Sequence, residues 1–434
     1  MMSFGNFVSF AGIFILTGVA WLFSTDRKNM NWHAIAWGIG LQLLFGLFIF
    51  VVPAGSKLFV IANDLVVKLL GPATEGGKFV FGPLALSPGT PGSVGFILAC
   101  QSLPTIIFFS ALMSILYFYG IMPLLIRGFA WTFTRLMKVS GAESLCTAAN
   151  IFVGVESAFT IRPHINEMTR SELCTVLTAG MATVASSVMA LYVLFLRDRF
   201  PMIAGHLMSA SVLSAPAAIV MSKVLLPENE TPVTLGKSIH PHYEKESSVF
   251  EAIINASMAG AKMIVGIVAL LIAVLGLVAL LDLILGGIGG RFNAIAGAHI
   301  GWSFRNLLGY VFYPFTLICG VPLDEAMSIS RIIGERLVVT ELTSYQDLAA
   351  AIAAGTVVHP RSIVIATYAL CGFAHVASMA IFIGGFAVLA PQKTKLLSGV
   401  GFRALFAATL ACLMTACVAG TFFSDNSMLL LGKP

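Results

Sequence analysis

Gly180-Met181-Ala182-Thr183-Val184-Ala185-Ser186 recurs 192 residues further on as Gly372-Phe373-Ala374-His375-Val376-Ala377-Ser378, with the same succession of small, apolar and polar residues. Both copies lie inside apolar segments long enough to cross a bilayer. An acidic residue set in apolar sequence precedes each one, Glu156 before the first and Glu341 before the second. Solenoid repeats are far shorter than this offset, so the pattern reads as one internal doubling and not an array. Two related halves that each bring a carboxylate toward the bilayer interior point to a transporter.

A mean hydropathy of +0.94 describes a polytopic membrane protein and excludes a water-soluble surface. At about 20 apolar residues per span, eight spanning segments are countable, and the chain is expected to be all-α. The first apolar run ends at Phe23-Ser24-Thr25-Asp26-Arg27-Lys28 without a small-residue cleavage site, so it reads as a retained helix. All seven cysteines lie in or beside apolar segments, which predicts no disulfide framework. The net charge of +5 is scattered over loops, with no basic stripe interleaved with aromatics, and this argues against nucleic-acid binding.

Segments 1–92 read as an N-terminal scaffold: helix 1 over 8–24, helix 2 over 32–52, and a short external amphipathic piece over 62–70 followed by a Gly/Pro-rich loop. Arg27 and Lys28 place the first turn in the cytoplasm and the N-terminus outside. The first repeat, 93–226, holds helix 3 (95–119), an interfacial helix (123–138), a broken polar run (141–160) that suits a re-entrant hairpin, helix 4 (171–195) and helix 5 (202–226). Arg197 and Arg199 in the outer turn run against that orientation. A polar linker, 227–249, separates the halves. The second repeat, 250–434, follows the same order: helix 6 (252–281), a Gly-rich stretch, an amphipathic piece (304–317), a second hairpin (324–348), helix 7 after Pro360-Arg361, and helix 8 (402–422). An odd number of crossings separates the halves, which makes the repeat inverted.

A carboxylate in hydrocarbon costs several kcal/mol unless it is paired, hydrated or neutralised. Substrate contact explains Glu156 and Glu341; ion pairs with Arg162 and Arg336 are the structural alternative, at helical spacings that do not favour a same-face pair. His375 can exchange a proton or serve as a hydrogen-bonded core residue. Ser378 falls on the same helical face and can present its hydroxyl to the same ligand. Asn150 and Thr183 supply neutral oxygens that suit Na+ at chain breaks, against the alternative of an Asn cap and a Thr bonded back to its own helix. Two other classes compete. A membrane-embedded hydrolase would gather Glu156, Glu341 and His375 around a metal, but no His-Glu-x-x-His or Gly-x-Ser-x-Gly pattern occurs. A passive channel fits broken hairpins less well than alternating access does.

Leu103-Pro104-Thr105-Ile106-Ile107-Phe108-Phe109-Ser110, Ala148-Ala149-Asn150-Ile151-Phe152 and Ala366-Thr367-Tyr368-Ala369-Leu370-Cys371-Gly372-Phe373 occur in order, and with them the chain resembles the concentrative nucleoside transporters over nearly all its length. The resemblance implies eight transmembrane helices with two re-entrant hairpins, and a homotrimer in the bacterial inner (cytoplasmic) membrane. Each protomer would carry a nucleoside inward by an elevator-type movement, driven by Na+ or alternatively H+. No organic cofactor and no enzymatic activity are implied.

The family's Gly-Gln-Thr-Glu corresponds to Gly154-Val155-Glu156, with one residue missing. Counting back from Arg162-Pro163 assigns the acid to Glu156; an ungapped count from Asn150 would assign Ser157, and Glu156 is preferred. The family's Asn-Glu-Phe corresponds to Thr340-Glu341-Leu342, where Glu341 would hold ribose hydroxyls. In Gly-Phe-Ala-Asn-Phe-Ser-Ser the ribose-facing Asn is replaced by His375, while Ser378 and Phe373 are kept. By the same match Val188 would pack on the base. The Na+ ligands would be Asn150, Thr183 and the backbones of Val153 and Val184. These departures fall on the ligand, so the alternative function is proton-coupled transport of a different nucleobase- or sugar-containing solute.

Overall fold

A computed structural model describes residues 3–87, 89–242, 246–297 and 301–424. Residues 243–245 of the polar linker and 425–434 of the second repeat therefore lie outside the described residues. Among the described residues every regular element is a helix, as backbone polar groups in hydrocarbon require. Helices α1 (Phe4–Leu22), α2 (Trp32–Phe50) and α3 (Pro53–Phe81) come first. The first repeat comprises α4 (Leu98–Gln101), α5 (Thr105–Phe118), α6 (Ile121–Thr132), α7 (Gly141–Asn150), a 3-10 run Val155–Glu167, α8 (Arg170–Ala182), α9 (Ser186–Leu196) and α10 (Ile203–Leu225). The second comprises α11 (Val249–Ala296), α12 (Phe304–Ile318), α13 (Leu323–Arg336), α14 (Glu341–Ala353), α15 (Pro360–Leu370), α16 (Val376–Leu389) and α17 (Thr394–Phe422).

Among the described residues seven segments are long and apolar enough to cross a bilayer, and the broken pair α15–α16 makes the eighth crossing. The two hairpins are α7 with the 3-10 run, and α13 with α14. They enter from opposite faces. At the base of the first, Gly141 N–H donates to Thr234 O (2.9 Å), and the turn after α1 joins the same face through Thr25 N–H to Leu225 O (3.1 Å). At the base of the second, Arg361 holds Gly320 O (2.8 Å) and Gly5 O (2.6 Å), which puts the N-terminus on the other face. The repeat is inverted.

Capping residues start the helices of the first hairpin region. Ser140 with Glu143 and Thr169 with Glu172 form capping boxes at α7 and α8, each satisfying otherwise orphaned N–H groups. Behind them Lys223 Nζ sits 2.8 Å from Glu143 Oε2 and 3.4 Å from Glu228 Oε2, tying α10 to the hairpin base.

Several expected boundaries move. α3 continues through Gly71-Pro72 and Gly76-Gly77, because its buried stripe of Gly55, Phe59, Asn63, Val66, Leu70, Ala73 and Gly77 keeps helical spacing past the proline. α11 runs on through the Gly-rich stretch at 286–290 instead of stopping at 281, since a helix in lipid keeps its backbone bonds at glycine too. Helix 8 starts at Thr394 and not at 402. Helix 3 is interrupted before Pro104. Helices 4 and 7, read as continuous, are each broken in two.

Candidate functional site

The breaks in helices 4 and 7 fall on the duplicated motif. α8 stops at Ala182 and α9 restarts at Ser186; α15 stops at Leu370 and α16 restarts at Val376. The second break begins and ends a few residues earlier than the sequence match requires, so Thr183 caps the end of one helix while His375 caps the start of another. Each restart leaves N–H groups without helical partners. The hairpins supply one in each half: Ser186 N–H donates to Phe152 O (3.0 Å) and Val376 N–H donates to Leu337 O (3.1 Å). Phe152 and Leu337 both lie where a hairpin turns, so the two halves use the same device. Ser211 Oγ to Ile151 O (2.8 Å) and Arg336 Nη1 to Ala369 O (2.5 Å) hold the same turns from behind.

All nine expected substrate residues line one cavity: Gly154, Val155 and Glu156 from the first hairpin, Val188 from α9, Thr340 and Glu341 from the second hairpin, and Phe373, His375 and Ser378 from the second break. Ala185, Leu191, Leu342, Ile381 and Phe382 complete the wall, with Met263, Ile267, Leu270 and Leu271 of α11. The hydrogen-bonding side chains on it are Glu156, Thr340, Glu341, His375 and Ser378. A second, more polar cavity meets the first at Gly154, Glu156, Ala185 and Met263 and reaches His242 and Glu246 of the linker. The site is thus open toward the face that carries the linker and the Arg27-Lys28 turn.

Glu341 is buried without a salt bridge to Arg336, whose guanidinium goes instead to Ala369 O. Tyr192 Oη donates to Glu341 Oε1 at 2.8 Å. His375 Nε2 stands 3.0 Å from Glu341 Oε2, yet that oxygen has no aligned donor, and neither has the buried Thr340 Oγ1. Both oxygens are buried here, on residues that line the cavity, and keep acceptor capacity. His375 Nδ1 accepts the Ser378 N–H at 3.1 Å, which assigns the ring proton of a neutral imidazole to Nε2, facing the carboxylate.

Ser378 corrects the same-face expectation. His375 precedes the helix, and the two residues form a reciprocal cap in which Ser378 Oγ accepts the His375 N–H at 3.3 Å while its hydroxyl lies against the carbonyls of Phe373 and His375. Glu156 is exposed on the cavity and has no ion pair among the described residues. Ser157 turns the other way and donates to Asn150 Oδ1 at 3.0 Å, so of the two registers it is Glu156 that faces the cavity.

Asn150, Val153, Thr183 and Val184 lie at the two breaks fastened by the Ser186–Phe152 bond. Both local alternatives are present: Asn150 Nδ2 donates to Cys146 O (3.0 Å) and Thr183 Oγ1 donates to Ala179 O (2.8 Å). Those bonds use protons. The oxygen lone pairs of Thr183, and one of Asn150 Oδ1, stay open, and an all-oxygen set of this kind fits a hard monovalent cation. Among the described residues no three His, Cys, Asp or Glu side chains converge as the hydrolase reading requires.

Sequence reasoning missed Tyr192 and Tyr345, which stack with ring centroids 4.4 Å apart, and Lys223. A tyrosine in mid-membrane carries a hydroxyl that needs a buried partner, and that signal was present four residues after Val188.

Residues 206–420 match the family described as "Na+ dependent nucleoside transporter C-terminus", residues 11–84 its N-terminus, and residues 99–199 the family described as "Nucleoside recognition". Solute carrier family 28 member 3 of Mus musculus is 34% identical over 429 residues, covering 96% of this chain; the chain spans only 58% of that relative's length. An uncharacterized transporter of Haemophilus influenzae is 35% identical over 418 residues, covering 95% of this chain and 97% of its own length. The structure of CNTnw in an inward-facing substrate-bound state superposes with a TM-score of 0.86 at 32% identity, covering 96% of this chain and 98% of that one. A variant of CNTnw in an outward-facing state gives a TM-score of 0.87 at the same identity and coverage.

Proposed function

Because the chain belongs to the Na+ dependent nucleoside transporter family, we propose that it is a symporter that imports nucleosides by an elevator-type alternating-access cycle. The observation that carries the proposal is the convergence of Glu156 and Glu341, from mirror-related hairpins, on one cavity. In this reading Glu341 accepts hydrogen bonds from the ribose hydroxyls, Thr340 can both accept from and donate to them, and His375 keeps Glu341 oriented with Tyr192. Phe373 and Val188 give the ligand an apolar seat, with Gly154 and Val155 closing the first hairpin's side and Glu156 meeting the base. Ser378 acts through the cap that fixes His375.

Asn150, Thr183 and the carbonyls of Val153 and Val184 would hold Na+, which supplies the electrochemical driving force. The Ser186–Phe152 bond joins that site to the first hairpin, so occupancy of the cation site and the position of Gly154-Val155-Glu156 are mechanically linked. The protein would work as a homotrimer in the inner membrane with its N-terminus outside; the long apolar α11, of which only 6% of the most apolar stretch is buried, supports a face given to lipid or neighbouring protomers.

The His375–Glu341 contact favours a second reading, in which H+ replaces or accompanies Na+ and the solute is another nucleobase- or sugar-containing compound. Uptake of labelled nucleosides into proteoliposomes under an imposed Na+ or H+ gradient separates the two. Accumulation under neither gradient overturns both.

A further inference from the structure

We infer that the base site selects guanine nucleosides, an assignment of substrate class that rests on the nucleoside reading above. Glu156 is the one hydrogen-bonding side chain on the first hairpin's share of the cavity wall; Gly154, Val155, Ala185 and Val188 around it offer none. A carboxylate accepts hydrogen bonds and donates none. The edge of the base that meets it must therefore present N–H groups, and two adjacent ones serve both oxygens at once.

Guanine presents that edge, with N1–H beside the N2 amino group. Adenine and cytosine each set one amino group beside a ring nitrogen lone pair, which would face the second carboxylate oxygen. Uracil offers a single N–H flanked by two carbonyl oxygens, both repelled. Hypoxanthine keeps N1–H and loses the amino group. Buried polar partners left unmatched discriminate strongly, so the ranking is steep at the top.

Space points the same way. Glu156 stands where the two cavities meet, beside Gly154 and Ala185, which have little or no side chain, with the unbranched Met263 of α11 as the one large neighbour at the junction. A Cβ built on Gly154 would come 3.4 Å from Glu156 Oε2, so the glycine leaves the carboxylate face clear. A bicyclic base can reach the acid and extend into the larger cavity.

The test is ligand-induced thermal stabilisation, with Kd from titration, of purified protein in Na+ for guanosine, inosine, adenosine, cytidine and uridine. Guanosine is expected to bind tightest, with inosine weaker by roughly tenfold for one lost charge-assisted hydrogen bond. Glu156→Gln, whose amide offers one acceptor and one donor, should weaken guanosine by at least roughly tenfold more than it weakens uridine. Equal or tighter binding of uridine, cytidine or adenosine to the wild type overturns the inference and leaves the nucleoside reading standing. Binding of none of the five overturns both. The wild-type panel decides the matter even if the variant does not fold.

Discussion

Tyr192 Oη donates to Glu341 Oε1 at 2.8 Å while its ring stacks on Tyr345, so an aromatic residue of the first repeat holds the acid of the second. Tyr192→Phe keeps the stack and removes the donor. A hydrogen bond to a charged group contributes about 1.5–3 kcal/mol, and its loss leaves a buried carboxylate oxygen unmet. The variant should unfold at lower temperature than the wild type and bind nucleosides less tightly, both readable in one fluorescence melting series. An unchanged melting temperature would show that this bond contributes nothing.

Lys223 and Glu143 are both buried and 2.8 Å apart. Lys223→Met strands the carboxylate, and breaking a buried pair on one side costs about 3–5 kcal/mol. Adding Glu143→Gln removes the stranded charge, so the double variant should recover much of the loss. If the two losses simply add in a double-mutant cycle, the pair is not coupled.

Thr183→Val conserves shape and deletes one oxygen from the proposed cation site. The half-saturating Na+ concentration for transport or for Na+-induced stabilisation should rise by roughly fivefold, the worth of about 1 kcal/mol. Nucleoside affinity at saturating Na+ should hold. An unaltered Na+ dependence places the ion elsewhere.

His359 Nε2 lies 2.9 Å from Asp324 Oδ2 at the base of the second hairpin. The shared hydrogen bond holds His359 above its ordinary range and Asp324 below its own. The histidine's share of stability is whole below its unfolded value of about 6.5 and fades as pH rises through the raised folded value; the aspartate's is whole above about 3.9 and fades as pH falls through the lowered one. Protection of residues 354–359 against proteolysis should therefore be greatest between these limits, weaken with salt, and lose its alkaline limb in His359→Gln. Protection that is flat with pH in the wild type rules the contact out.

Much of this architecture was legible because the membrane makes polar residues conspicuous. Glu156, Glu341 and His375 stood out in apolar sequence, and the structure brings all three to one cavity. The helix breaks did not stand out. Thr183-Val184-Ala185 carries neither glycine nor proline, and the break there is held by Ser186 donating to Phe152, a bond between residues far apart in sequence. The glycines at 286–290 misled in the opposite direction, since lipid holds a helix together where water would loosen it. Ser378 was misread because a histidine imidazole acting as a cap is invisible to periodicity.

The 48 residues of α11 make a rod about 70 Å long at 1.5 Å per residue, well beyond the roughly 40–45 Å of a whole bilayer with its headgroups. Such a rod cannot stand upright within the lamella: it leans steeply or projects past one leaflet. Because Met263, Ile267 and Leu271 of that rod also form one side of the ligand cavity, its slant and the shape of the cavity are tied. Any change in that slant would carry one wall of the ligand cavity with it.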